Sequence, residues 1–244
     1  MLAEPAVQLR LLGLAEVDGE LARVTHAAKS LPEHAKIQAL MSRRQEAADV
    51  LTAATTAADD LAVAAERAEQ DLTPVRERLA RDQRLVSDGS VTDTKALQGL
   101  LQEIEHLKIR ISKLEDVQLE AMSAAEEAVE TRDQLAVRKA EVEDQLRELV
   151  RTRDAQVAVL KEEAQALVAR RKPIASSLPE ALMKLYEKLR ATTGMGAARL
   201  VQGKCGGCQL PITVSDLAEL RKAPANQVLR CPECDRILVR TKDS

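Results

Sequence analysis

The chain contains no phenylalanine, no tryptophan and a single tyrosine, Tyr186, in 244 residues. Aromatic side chains bury about 150–250 Å² each and dominate ordinary cores, so a broad globular core is excluded. Long apolar runs are missing too, and a membrane-spanning helix needs roughly 20 such residues in succession. Charge of one sign is also lacking. Lys and Arg number 36 against 39 Asp and Glu, a net of −3, too balanced to name a partner. No His-Glu-x-x-His, Gly-x-Ser-x-Gly, Walker loop or Rossmann glycine pattern is present. The three histidines, His26, His34 and His106, fall in helical segments away from any cysteine. Acidic doublets such as Asp59-Asp60 and Glu126-Glu127 lie where a helix needs a polar face. These absences point away from an enzyme and from a small-molecule substrate.

What is present is mostly Ala, Leu and Val mixed with Glu, Arg, Lys and Gln, the composition of long helices that bury a narrow seam. From Ile37, positions spaced alternately by three and four run through Leu40, Ala47, Leu51, Ala58, Leu61, Ala68, Leu72, Val75 and Leu79 to Val86. A second seam runs from Leu97 through Leu100, Ile104, Leu107, Ile111, Leu114, Ala121, Ala128, Leu135, Val142 and Leu149 to Leu167, with polar interruptions at Gln118, Arg132 and Lys139. A heptad stripe of this kind keeps one face against a partner helix. Between the seams, Asp88-Gly89 breaks the first helix, and the Ser90-x-x-Asp93 stretch caps the second. A short connection makes the two helices antiparallel neighbours, so residue i should face roughly residue 181 − i. Leu31-Pro32 interrupts the first arm, leaving Val7–Lys29 as a separate helix or a kinked continuation. Pro173 is expected to end the second arm. A short helix, Glu180–Arg190, follows, with Leu182, Leu185 and Leu189 on one face, and Gly194-Met-Gly196 is a hinge.

All four cysteines lie near the end, as Cys205-Gly-Gly-Cys208 and Cys231-Pro-Glu-Cys234. Two Cys-x-x-Cys knuckles at this separation read as a zinc site. Each tight turn presents two sulfurs to one edge of a tetrahedron, at about 2.3 Å from the metal. Gly206 and Gly207 are expected to free the first turn, and Pro232 to pre-set φ in the second. Paired disulfides suit a secreted chain, whereas Met1-Leu-Ala-Glu-Pro lacks the apolar segment of a secretory signal. A redox dithiol needs one knuckle in a βαβ setting. One structural Zn²⁺ on Cys205, Cys208, Cys231 and Cys234 is therefore expected, in a cytoplasmic protein. Strands are predicted at Ala197–Val201, Gln227–Arg230 and Ile237–Arg240, with a capped helical turn from Thr213 or Ser215 through Arg221.

The predicted fold is mainly α: a long antiparallel coiled-coil hairpin with a small C-terminal zinc ribbon. Its segments are 1–175 for the hairpin, 176–196 for a linker with a short helix, and 197–244 for the ribbon. Lys95-Ala-Leu-Gln-Gly-Leu-Leu-Gln-Glu-Ile-Glu105, Ile111-Ser-Lys-Leu-Glu-Asp116 and Leu119-Glu-Ala-Met122 resemble the helical signature of the bacterial C4-type zinc-ribbon proteins with an N-terminal coiled-coil hairpin. Cys231-Pro-Glu-Cys-Asp-Arg-Ile-Leu-Val-Arg240 is similar to that family's closing motif, and Leu178-Pro-Glu and Leu185-Tyr186 to its linker. The Ala- and Arg-rich style resembles that of actinobacterial members. Members of the family are nucleic-acid-binding or adaptor proteins, and relatives in flagellated bacteria bind an mRNA and the sigma-54 factor. Only the four cysteines carry over residue by residue.

Residues 195–244 hold eight bases against five acids, a net of +3. Arg221, Lys222, Arg230, Arg236, Arg240 and Lys242 are the candidate nucleic-acid contacts. Arg76, Arg78, Arg81 and Arg84, with Lys95, Lys108, Arg110 and Lys113 across the turn, form a second basic cluster near the hairpin tip. Acids interleaved with it favour a surface laced with ion pairs. The ribbon has no aromatic on which bases could stack, so binding there would be mostly electrostatic. The expected function is a zinc-binding, non-enzymatic nucleic-acid scaffold or regulator, with RNA preferred over DNA by the family resemblance. The alternative is a protein–protein adaptor docking on transcription or RNA-processing machinery through the coiled coil or the ribbon. No membrane partner is expected.

Overall fold

The computed structural model describes residues 1–242, so the last two positions of the expected ribbon segment lie outside the described residues. Four helices come first: α1 (Pro5–Lys29), α2 (Pro32–Ser87), α3 (Thr94–Ser176) and α4 (Glu180–Thr193). Then follow β1 (Ala197–Val201), β2 (Lys204–Cys205), α5 (Val214–Lys222), β3 (Leu229–Arg230) and β4 (Ile237–Arg240). The chain divides into two compact units. One is Ala35–Val150; the other joins Met1–His34 to everything from Arg151 onward. This division by contact differs from the division by composition, because the N-terminal helix goes with the ribbon.

Within residues 35–150, α2 and α3 form the antiparallel hairpin. Gly89, at φ 65°, supplies the left-handed residue after α2 that a Cβ would disfavour. The Asp93 carboxylate accepts the Ala96 N–H at 2.9 Å, capping α3. The seam buries Leu72, Val75, Leu107 and Ile111 as one cluster, with Leu79 and Leu114 packed on it. The register matches the expected facing rule toward the tip, where Leu72 and Val75 meet Leu107 and Ile111 and Arg78 Nη2 meets the Glu103 carboxylate at 2.8 Å; Arg44 Nε reaches Glu143 at 3.4 Å, six positions beyond its expected partner. In the alanine-rich stretch only Ala58 is fully buried between Val50 and Leu61, so less area is sealed per layer there. Pro74 lies inside α2, at the cost of the N–H that would bond four residues back.

In the other unit α1 is a helix of its own. Val17 and Val24 of α1 pack with Leu167 of α3, joined by Leu21 and Leu160. The end of α3 is thus sealed by α1. Pro173 does not end α3, correcting the expectation; the helix runs to Ser176. Proline removes one backbone donor without ending the helix if the remaining turn is held, and Ser177 N–H bonds to the Pro173 and Ile174 carbonyls at 3.2 and 3.1 Å.

The four strands form one sheet in the order β2-β1-β4-β3. β1 and β4 are parallel, Ala197 opposite Ile237 and Leu200 opposite Arg240, while the outer pairs are antiparallel. Alternate strand residues point to opposite faces, and here both faces are covered. Ala197, Ile237 and Val239 pack against Leu11 and Leu14 of α1 and Leu182, Tyr186 and Leu189 of α4. Ala198, Leu200 and Leu238 face Cys205, Cys231, Ile212 and Leu229. That is why Ile237-Leu-Val reads as an unbroken apolar run. The N-terminus extends the arrangement: Ala3 N–H donates to the Asn226 carbonyl at 2.7 Å, and Val228 N–H to that of Met1 at 3.1 Å. The buried Gln8 amide donates to the Ala3 and Ala225 carbonyls. Among the described residues no helix is long and apolar enough to cross a membrane.

Candidate metal centre

The two knuckles have the same local build. Gln209 N–H donates to the Cys205 carbonyl at 2.7 Å, and Asp235 N–H to the Cys231 carbonyl at 2.9 Å. Gln209 and Asp235, each just after a second cysteine, take φ of 62° and 63°. Left-handed backbone at those places returns each chain to its strand. Cys205 N–H then bonds to the Leu210 carbonyl at 3.2 Å, and Cys231 N–H to that of Arg236 at 2.9 Å. Gly206 and Gly207 do free the first turn as expected, although the left-handed φ itself falls at Gln209. The glycines serve close approach: a Cβ on Gly206 would stand 3.2 Å from the Arg199 carbonyl oxygen, and one on Gly207 2.8 Å from Arg236 Cδ.

This backbone brings the four Sγ atoms within 4.8 Å of one another. Zn–S bonds of about 2.3 Å imply sulfurs about 3.8 Å apart on a tetrahedron. Cys205 and Cys234 are 3.8 Å apart, and Cys208 and Cys231 3.9 Å. Cys205 and Cys231 are buried, the other two partly so. The donor set, closeness and burial fit one structural zinc ion, which supplies a cross-link between the knuckles. Four protein ligands close the coordination, with no position for a water nucleophile. Burial pushes the Cys231 thiol up to about 12 and raises Cys205 as well. Burial acts upward on Cys234 too, but the Arg236 backbone N–H and guanidinium beside it outweigh it, leaving Cys234 at about 7. Metal uptake must therefore displace protons and weakens as pH falls.

The six expected nucleic-acid contacts separate into two groups. Arg230 Nε donates to the Asp235 carbonyl at 2.7 Å, and Nη2 pairs with its carboxylate. Arg240 donates to the Ala223 and Pro224 carbonyls beyond α5. Arg236 Nη2 donates to the Thr193 carbonyl at 2.6 Å, while its buried Nε has no hydrogen-bond partner. These three hold the head together. Arg221, Lys222 and Lys242 are exposed. At the hairpin tip, Arg76 pairs with Glu115 and Arg78 with Glu103.

A second polar cluster escaped the sequence reading. Asp18, only 6% exposed, accepts from Tyr186 Oη at 2.7 Å, Arg171 Nε at 2.7 Å and Arg190 Nη1 at 2.9 Å. Glu187 pairs with both arginines. Burial, then the bond to Asp18, raises the Tyr186 pKa, and hydrogen bonding to Asp18 raises that of Arg171 against desolvation. The signal was an acid at 18 in the apolar spacing Leu11, Leu14, Asp18, Leu21.

Comparisons with known proteins agree with this architecture. Residues 14–194 match the CT398-like coiled coil hairpin domain, and residues 204–238 match the C4-type zinc ribbon domain. An uncharacterized protein of Mycobacterium tuberculosis is 35% identical over 242 residues, covering 98% of each chain. A solved structure from Mycobacterium smegmatis superposes with a TM-score of 0.87 at 34% identity, covering 99% of this chain and 100% of that one. CT398 from Chlamydia trachomatis shares the fold, with a TM-score of 0.69 at 15% identity and coverage of 97% and 98%. The chain belongs to the CT398-like coiled-coil hairpin family and carries that hairpin together with a C4-type zinc ribbon.

Proposed function

We propose that this protein is a non-enzymatic adaptor, whose zinc-stapled head is a structural module and whose hairpin holds another protein. The observation that carries the reading is on α3. Leu119, Met122, Val129 and Val137 lie outside the heptad seam and are exposed, Leu119 at 65% and Val137 at 59%. Singly exposed apolar residues are ordinary; four at helical spacing make a face. The nucleic-acid reading has less support, since Arg230, Arg236 and Arg240 bind their own chain. The ribbon also has no aromatic on which a single strand could stack.

Two measurements on the full chain separate these readings. A photo-crosslinking residue at Val129, used in lysate of the source organism, should yield defined protein adducts absent when the same residue replaces Arg221. Mobility shifts with random RNA and duplex DNA across a salt series should show no shift at physiological salt. A steep salt-dependent shift lost in the Arg221→Glu, Lys222→Glu double variant would overturn the adaptor reading in favour of phosphate contacts.

A further inference from the structure

Along α3, Leu119, Met122, Glu126, Val129, Asp133 and Val137 are spaced by three, four, three, four and four. At about 100° per residue they fall within a ~100° arc, turned roughly 120° away from the seam. The Ala125–Val137 part of this face is an open, shallow, mostly apolar surface lined by Ala125, Val129 and Val137, with Glu126, Glu130 and Asp133 among them. Apolar anchors at such intervals are what an amphipathic helix seats on, and Met122 adds an adaptable contact.

The charge around the face chooses the occupant. Residues 119–137 contain five acids (Glu120, Glu126, Glu127, Glu130, Asp133) and one base, a net of −4. That base, Arg132, is occupied by its neighbour Asp133, at 2.9 Å from Nε. The stretch of α2 opposite by register, residues 44–62, has four acids and one base, a net of −3. The middle of the hairpin thus carries −7 around an exposed apolar stripe. A second copy of the chain is a poor occupant. Antiparallel self-pairing centred on the stripe would set Glu126 against Glu130 of the other copy, and facing like charges are destabilising. Polyanions are repelled for the same reason. A helix with Lys or Arg flanking an apolar edge meets both requirements, because unlike charges brought closer than the Debye length of about 8 Å still attract at physiological salt, and less so as salt rises.

We infer that the Leu119–Val137 face of α3 is the docking surface for a basic amphipathic helix of another protein. The inference rests on the adaptor reading and adds the chemistry of its partner. Its test uses the full-length zinc-loaded protein and two labelled model helices of equal length and apolar face, one with lysine flanks and one with glutamate flanks. Fluorescence anisotropy should show the lysine helix binding at least tenfold more tightly, with affinity falling as salt rises. Val129→Glu should weaken it at least tenfold. Glu126→Lys with Glu130→Lys should remove or invert the preference. The three positions are exposed, so the helical circular-dichroism signal and melting temperature should match wild type; Leu85→Glu, exposed near the tip, is the control that should bind normally.

Equal binding of the two helices, or unaltered binding by both variants, overturns the inference. So does sedimentation showing a dimer that Val129→Glu dissociates, since the occupant would then be a second copy. If crosslinks at Val129 still capture a protein while the lysine helix shows no preference, only the partner's chemistry falls and the adaptor reading stands.

Discussion

Arg236 occupies the most consequential single position in the head. Four thiolates around one divalent cation leave a net charge of −2, and the Thr193 carbonyl at the end of α4 adds the negative end of a helix dipole. The Arg236 guanidinium serves both: it lowers the Cys234 thiol and donates to Thr193. Partners outside the ligand shell typically contribute 10–100-fold to metal affinity. Arg236→Met keeps the aliphatic stem that packs on Gly207 but removes the charge. Its zinc should pass to a chromophoric chelator about tenfold faster than wild type, with Arg236→Lys intermediate. Lys222→Ala, at an exposed position of α5, should release zinc at the wild-type rate. Equal release by Arg236→Met and wild type would reduce Arg236 to packing.

At the scale of elements, α1, the end of α3 and α4 are joined by one buried carboxylate. Asp18 is bonded by groups from the other two helices, so neutralising it weakens the bond to the buried phenol and leaves Arg171 and Arg190 with Glu187 as their remaining carboxylate partner. Hydrogen bonds to a charged group contribute about 1.5–3 kcal/mol, and Asp18→Asn should show a loss of that order in urea melts. Tyr186 is the sole tyrosine, so phenolate absorbance reports this junction alone. Its pKa is raised on folding above the ordinary phenol value of 10.0, which means the folded state binds the proton more tightly. The stabilisation is complete below pH 10 and is lost as pH rises above it. Native protein should show no phenolate until it unfolds, whereas urea-denatured protein titrates near 10; Asp18→Asn should ionise at lower pH than wild type. A native titration near 10 would mean the phenol is solvated. The helical hairpin and its register were legible in the sequence, because heptads and Asp88-Gly89 act locally. So was the metal centre, since Cys-x-x-Cys turns are short and self-contained. The placement of α1 was not. Leu31-Pro32 marks where a helix restarts, but Leu11 meeting Ile237 is a contact between residues more than two hundred apart, and no local signal encodes it. A similar separation divides Gln8 from Ala225, and nothing local in the sequence marks that glutamine as the clasp it forms.

For the whole molecule, the question is how far the influence of zinc extends. Small modules bind metal and fold in one step, so binding energy is folding energy. The ribbon's sheet has two covered faces, one toward the cysteines and one toward α1 and α4. Loss of the ion should therefore loosen the sheet and, through Ile237 and Val239, the packing of Leu11 and Leu14. The hairpin cluster of Leu72, Val75, Leu107 and Ile111 is complete within residues 35–150 and draws on none of these contacts. Hydrogen exchange after chelation under reducing conditions should show protection lost in β1, β3 and β4 and reduced in α1. It should be retained at Leu72–Leu79 and Ile104–Leu114, and most of the helical circular-dichroism signal should remain. Two other outcomes are informative in opposite directions. Unchanged protection of Leu11 and Leu14 would mean that the ribbon opens as a module of its own, as composition alone suggests. Loss of protection at Leu107 and Ile111 would mean that the metal stabilises the entire chain cooperatively.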